Sequence, residues 1–326
     1  LAEHTGPVNV VRYNHGAKYC LTGSADRTIR LWNPSLGKEI KCYRGHGHEV
    51  LALDISHDNA KFASCGVDKV VFIWDVASGT VVRRLQGHFG KINAVTFNRD
   101  AQVLASAGFD AKVMLWDMRA VARDPIQTIK DATSSITTLT IPSDIPELMT
   151  GGTDGIVRSY DLRMGKIAED LVGAPISSIS PSPTSSKDTL LVSSLDGKLR
   201  IFDRSNGTVL QTFAGHKTVD IRSKAAWNYG EGAVLTGDED GRIWAWNVLD
   251  VSLKREDVEY FPKAAPLDPK PASSHKKAVT WVEISPNGKE MLTASNGMFL
   301  WGWFKRSANL DDLLDGTIKV WAKGSG

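Results

Sequence analysis

The sequence predicts an all-β chain made of seven tandem units, and three observations carry that prediction. An aromatic residue followed by Asp or Asn recurs at Trp32-Asn33, Trp74-Asp75, Trp116-Asp117, Tyr160-Asp161, Phe202-Asp203 and Trp246-Asn247, at steps of 42, 42, 44, 42 and 44 residues, with a further aromatic at Trp321. An Asp stands six residues before each aromatic, at Asp26, Asp68, Asp110, Asp154, Asp196, Asp240 and Asp315. Between these markers run short segments rich in β-branched residues and bounded by Gly, Asp and Asn, with no competing helical period. Self-similarity at a fixed period is the signature of a repeat architecture.

In the first unit the predicted strands are Val8–Tyr13, Lys18–Thr22 and Thr28–Trp32, and in the third Ile92–Phe97, Val103–Ser106 and Lys112–Trp116. The units fall at about 1–45, 46–87, 88–131, 132–173, 174–215, 216–274 and 275–326. His4, His46 and His88 precede their Asp by 22 residues and His216 by 24, whereas Ala132 and Ala174 occupy the histidine place in two units. These markers resemble the WD-repeat family, whose units are four-stranded blades around a central channel. The resemblance covers essentially the whole chain and implies a seven-bladed WD-repeat β-propeller.

Ser or Thr, His and Asp recur together, as Thr22, His4 and Asp26, as Ser64, His46 and Asp68, and as Ser106, His88 and Asp110. Those are the residue types of a hydrolytic triad. A catalytic set is needed once, however, and this one follows the period of the scaffold. The resemblance implies a structural hydrogen-bond network instead, running from the turn Asp through His to the strand hydroxyl and on to the Trp indole. Its expected members are His4, Thr22, Asp26 and Trp32; His46, Ser64, Asp68 and Trp74; and His88, Ser106, Asp110 and Trp116. Thr150 and Asp154 stand for the fourth unit, His216, Thr236, Asp240 and Trp246 for the sixth, and His275, Thr293, Asp315 and Trp321 for the seventh. Units four and five lack the histidine, carry Tyr160 and Phe202, and in the fifth have Val192 for the hydroxyl, so they are expected to be held more by packing than by hydrogen bonds and to be softer.

The seventh unit is interrupted. From His275 to Asp315 is 40 residues rather than 22, and removing the 18 residues 297–314 restores a continuous Leu-Thr-Ala-Ser-Asn-Asp-Gly-Thr-Ile-Lys-Val-Trp. One reading is a functional loop with Phe299, Trp301, Trp303 and Phe304 as partner anchors. The reading adopted here is a translated intron, because the residues at its ends permit a donor GTATGTT, a branch GCTAAC and an acceptor TAG in order. Sequencing the transcript decides it, and a mature message that keeps all 54 nucleotides sinks the intron. Residues 252–274, with four Pro and four Lys or Arg, are expected to be a solvated polar linker that partly stands in for an outer strand. The chain starts at Leu1 rather than Met, which suggests a fragment, and few residues flank the ends. A ring with one weak seam at its closure is expected.

Composition bounds the function. Of 326 residues, 42% are hydrophobic, 23% charged and ten are Trp, enough for a large core. Lys and Arg number 39 against 37 Asp and Glu, and a net charge of +2 argues against direct RNA contact by field strength. Cys20, Cys42 and Cys65 form no CxxC pair, which argues against a disulfide framework or zinc site and fits a reducing compartment. No apolar run reaches the roughly 18 residues of a membrane span. The chain is expected to be soluble, intracellular and without cofactor, metal, small-molecule substrate or catalytic residues.

Function is therefore sought in binding on the narrow face around the channel. Phe109, Arg222, Glu239 and Trp281 stand out from smaller residues at matching places, and Trp281 sits where other units carry Val10, Ala52, Ala94, Thr138 and Ser178. For Trp281 the alternative is filling the seam of the last unit. The strings YCLTGSADRTIRLWNP, GHGHEV, WDVASGTVVRRLQGH, YDLRMG and VSSLD look like the mitogen-activated protein kinase organiser branch, strongly through the fifth unit and fading after Asp240. That likeness implies a non-catalytic scaffold for kinase-cascade components in the cytoplasm that also joins late spliceosomes in the nucleus. Two alternatives are a structural subunit of a ribonucleoprotein only and a substrate receptor of a ubiquitin ligase. The latter rests on the Asp-x-Arg turns at Asp117-Met118-Arg119 and Asp161-Leu162-Arg163.

Overall fold

The computed structural model describes residues 3–122, 124–142, 146–183, 188–228, 230–248, 265–266, 275, 277–288 and 290–296. Within these, six four-stranded antiparallel sheets follow one another along the chain. The first two are β1–β4 (Val8–Tyr13, Cys20–Ser24, Thr28–Asn33, Lys38–Arg44) and β5–β8 (Val50–Ile55, Lys61–Gly66, Val70–Asp75, Val81–Gln86). Next come β9–β12 (Ile92–Phe97, Val103–Gly108, Val113–Asp117, Gln127–Ile129) and β13–β16 (Ile136–Thr140, Glu147–Gly152, Ile156–Asp161, Ile167–Leu171). The last two are β17–β20 (Ile176–Pro181, Thr189–Ser194, Lys198–Asp203, Val209–Ala214) and β21–β24 (Ala226–Trp227, Ala233–Gly237, Ile243–Asn247, Ala265–Pro266). A two-stranded sheet, β25 (Val279–Ile284) and β26 (Met291–Ser295), follows.

The expectation of seven blades is corrected to six. Residues 275–326 were to form a seventh, but the described part of that span pairs only β25 with β26. Asp315, Trp321 and the whole interruption 297–314 lie outside the described residues, as does the linker 252–274 apart from 265–266. Those two residues pair with Trp244 and Ala245 as the outer strand of the sixth blade.

Burial falls toward the outer strand in the first five blades, and the sequence follows it. The second strand of the first blade, Cys-Leu-Thr-Gly-Ser, is buried throughout, while the fourth alternates between exposed and covered residues. Small residues on second strands let neighbouring blades approach: a Cβ on Gly23 would lie 2.8 Å from both Val10 and Val50. The cores therefore sit between blades. Val10, Leu21 and Tyr43 of the first interdigitate with Val50, Phe62 and Trp74 of the second. There the Phe62 and Trp74 rings stack 5.7 Å apart.

A bulge fixes how the sheets are joined. In five blades and in the two-stranded sheet, the second residue of the innermost strand is skipped in the pairing, and these residues are Asn9, Leu51, Asn93, Thr137, Ser177 and Thr280. A bulge re-aims a side chain, and five of these polar groups reach sideways to a backbone carbonyl of the next sheet. Asn9 donates to Val50 at 2.8 Å, Asn93 to Ile136 at 2.7 Å, Thr137 to Ile176 at 2.6 Å and Ser177 to Ser223 at 3.1 Å. Thr280 donates to Val8 at 3.1 Å, and the Lys224 amide donates to the Thr280 carbonyl at 3.1 Å. The two-stranded sheet thereby closes the ring between the sixth blade and the first.

Candidate functional site

The hub of each early blade starts from its turn. The residue after the turn Asp takes a left-handed conformation, with φ of 69° at Arg27, 63° at Lys69 and 57° at Ala111, and 73° at both Gly155 and Gly197. The turn holds the Asp carboxylate against the histidine of the preceding loop. In the first blade His4 Nδ1 lies 2.8 Å from Asp26, His4 Nε2 2.7 Å from Thr22 Oγ1, and Trp32 Nε1 donates to that oxygen at 2.8 Å. In the second, His46 meets Asp68 at 2.5 Å and Ser64 at 2.6 Å, and Trp74 donates to Ser64 at 2.8 Å. In the third, His88 meets Asp110 at 3.0 Å and Ser106 at 2.9 Å, and Trp116 donates to Ser106 at 2.9 Å.

The proton inventory of these chains is closed in one direction. The carboxylate can only accept, so Nδ1–H donates to it; in the neutral tautomer this leaves Nε2 to accept from the hydroxyl, whose oxygen accepts from the indole. Burial, opposed by Asp26, lowers the pKa of His4. Asp26 is itself held down to about 2: burial opposes this, and hydrogen bonds from Thr28 and His4 outweigh it. Thr22, Ser64 and Ser106 are fully buried, each with its oxygen engaged by two partners. No substrate carbonyl can reach such a hydroxyl, so these sets lock turns.

Blades four and five solve the same problem with different residues. Ala132 and Ala174 leave no imidazole, and the Asp turns to an arginine four residues on. Arg158 Nη1 lies 2.7 Å from Asp154, and Arg158 Nε donates to Glu169 at 2.8 Å, with the arginine only 2% exposed. Arg200 Nη2 lies 2.6 Å from Asp196, whose carboxylate also accepts from Ser194 at 2.6 Å. These blades were expected to be held more by packing than by hydrogen bonds, and each nonetheless has a hydrogen-bonded ion pair in its turn. Thr150 is buried in β14, but Asp154 is engaged by Arg158 and by Thr133 at 3.1 Å. Sequence reasoning missed both arginines, although each stands two residues before the aromatic in a unit that lacks its histidine.

The sixth blade departs further. His216 is buried with neither ring nitrogen hydrogen-bonded among the described residues, and the Trp246 indole nitrogen is likewise unpaired. Burial pushes His216 down to about 4. The structure does not bring Asp240 to His216; Asp238 acts in the turn instead, accepting from Arg242 N at 2.7 Å and from Trp244 Nε1 at 2.7 Å. The cause is the two extra residues between His216 and Asp240, which put Asp238 at the 22-residue spacing. Thr236 meets Ser223 at 3.3 Å. His275 Nε2 lies 2.8 Å from Thr293, and their expected partners Asp315 and Trp321 are outside the described residues.

The four face residues have different fates. Phe109 is 62% exposed, and beside it Phe89 is 77% exposed, with Lys91 and Lys112 ammonium groups over the two rings at 5.9 and 4.9 Å. Glu239 is engaged by its own chain, its carboxylate accepting from Val219 and Asp220 N at 2.6 Å and Ile221 N at 3.1 Å. Trp281 and Arg222 both line a cavity of about 510 Å³ at the axis. Against Trp281 lie Lys224 at 4.5 Å and Arg12 at 5.8 Å. Those two cations are paired with Glu283, Lys224 at 2.7 Å and Arg12 at 3.3 Å, and Arg12 also faces Asp54 at 3.7 Å. Burial, with Arg12 nearby, lowers Lys224 to about 8.

Of the other chemistry-bearing groups, Cys20 and Cys65 are buried, which raises both thiols above their ordinary range. Asp117 and Asp161 accept from the amide two residues on, at 2.8 Å in each case, and Asp203 does the same for Ser205. The Asp-x-Arg turns are thus one local capping device repeated, with Arg119 folded back on Asp117 at 3.3 Å.

Radial four-stranded blades, sideways bonds from bulged residues and buried turn hubs define a repeat β-propeller. Residues 47–250 match the model of the nucleolar protein 10-like N-terminal domain, and residues 1–33 and 272–322 match the WD domain, G-beta repeat. An uncharacterized WD repeat-containing protein of Schizosaccharomyces pombe is 51% identical over 242 residues, 74% of this chain and 80% of that protein. WD repeat domain-containing protein 83 is 48% identical in Rattus norvegicus and 46% in Homo sapiens, each over 76% of this chain and 78% of the relative. The chain belongs to the WD-repeat β-propeller family.

Proposed function

We propose that this chain is a non-catalytic scaffold that docks partner proteins on the face carrying Phe89 and Phe109. The observation that supports this reading is the pair of exposed aromatic rings on two adjoining loops of the third blade, because exposed aromatics are the usual anchors of protein interfaces. The hubs described above are sealed from solvent, so the chemistry-bearing residue types contribute stability and the surface contributes function.

The finer proposal follows the organiser-like strings of the sequence: kinase-cascade components in the cytoplasm and splicing factors in the nucleus. Affinity capture of the full-length protein from nuclear and cytoplasmic extracts, with and without ribonuclease, tests it. Recovery of kinases from cytoplasm and ribonuclease-resistant recovery of splicing factors from nucleus supports both arms. Splicing factors alone reduce the role to a ribonucleoprotein subunit, and recovery of neither overturns the proposal.

A further inference from the structure

The axial cavity has an uneven wall. Among the described residues it carries four cations, Arg12, Lys91, Arg222 and Lys224, against a single carboxylate, Asp220. Arg12 and Lys224 are neutralised from behind by Glu283 and Asp54. Lys91 is exposed and lies over the Phe109 ring. Arg222 is different: half-buried, it has no hydrogen bond or ion pair with any described residue, and burial lowers its pKa with no charge opposing. A guanidinium carries five N–H donors in a fixed fork suited to a carboxylate or phosphate. Partly desolvated and without an internal acceptor, it is free to take one from a ligand.

Its position is nonetheless fixed. Glu239 clamps the three amides immediately before it, those of Val219, Asp220 and Ile221. A structural device thus fixes the backbone that leads into Arg222, at the wall of the cavity that Trp281 also lines.

We propose that the axial cavity receives an anionic side chain of a partner polypeptide, a phosphorylated Ser or Thr or a Glu or Asp, with Arg222 as its receptor. This rests on the reading of the ring as a protein-docking scaffold and specifies what it docks. The occupant is a side chain on a polypeptide because the cavity, at about 510 Å³, is larger than one anion fills, and Phe89 and Phe109 with their lysines offer contacts for flanking residues. The excess of cations on the wall supplies the charge complementarity.

The experiment uses the purified full chain and three fluorescein-labelled degenerate peptide pools with a fixed central phosphoserine, glutamate or serine, read by anisotropy. The charged pools bind at least about tenfold more tightly than the serine pool, and Arg222→Gln removes that difference while Lys38→Gln, on the exposed edge of β4, leaves it. Preference for phosphoserine over glutamate identifies phosphate as the source, and equal binding identifies the carboxylate. Arg222→Gln also keeps or raises the thermal midpoint, because no internal bond is lost. Equal binding of all three pools, discrimination that survives Arg222→Gln, or a midpoint lowered by that substitution each overturns the assignment. Extract capture that succeeds while the pools fail leaves the scaffold reading standing and removes only the cavity's role.

Discussion

Replacing Ser106 by Ala tests whether the hub is a stabilising unit. The change removes one oxygen and almost no volume, so cavity terms are small. What it removes is the shared partner of His88 Nε2 and Trp116 Nε1, each 2.9 Å away. Both rings are nearly or fully inaccessible, at 7% and 1% exposure, so water cannot replace the hydroxyl. Each orphaned group costs about 1–3 kcal/mol, giving a loss of about 2–6 kcal/mol for one atom. Urea unfolding followed by far-ultraviolet circular dichroism measures it, and hydrogen exchange across β10 and β11 shows whether the loss is centred on the third blade. Ser106→Thr keeps the hydroxyl, as the first blade does with Thr22, and retains most of the stability. A Ser106→Ala protein within about 0.5 kcal/mol of the parent, the range of ordinary surface substitutions, would show that the chain of hydrogen bonds contributes nothing.

Three further outcomes follow from the same geometry. Arg158→Met leaves the half-buried Asp154 carboxylate without its cation, with only Thr133 and the Ile156 amide donating to it, and lowers stability by about 1–3 kcal/mol, most of which returns in Asp154→Asn/Arg158→Met; urea midpoints of the three proteins check this. His216 stays neutral in the fold down to about 4, whereas the unfolded chain takes up a proton near 6.5. Stability is therefore full above pH 6.5 and falls as pH drops to 4, by up to about 3 kcal/mol, and His216→Phe flattens that slope in unfolding curves measured between those limits. Gly66→Ala places a Cβ 1.9 Å from the Glu49 carbonyl oxygen, so the second blade must shift or lose its bulge, and the thermal midpoint falls by more than for Gly47→Ala, where nothing lies within 4 Å.

The sequence exposed whatever is strictly periodic. The six-residue interval from Asp to aromatic places the turn and the third strand, because both lie on one hairpin whose geometry is local. It could not show which donor each turn Asp finds, since that depends on a loop from the previous blade. In blades one to three the spacing of 22 residues happened to encode that contact. In the sixth blade two extra residues moved the role to Asp238, and in blades four and five Arg158 and Arg200 took it from within the same hairpin.

The count of blades failed for a related reason. A repeat marker predicts that a unit exists, but a blade exists only where all four strands pair, and for the last unit the described strands stop at β26. Ring closure depends on neither the markers nor the outer strands. It uses Thr280, one of a series of bulged residues that looks unremarkable in the sequence because Asn9, Asn93, Thr137 and Ser177 share only polarity. A polar residue flanked by two core positions at the start of an innermost strand is the readable signal, and Leu51 shows its limit, since the same bulge there carries no donor. The ring is thus held at the axis by the sideways bonds and farther out by the hubs. Among the described residues Arg222 takes part in neither system, and the proposal above assigns it to binding.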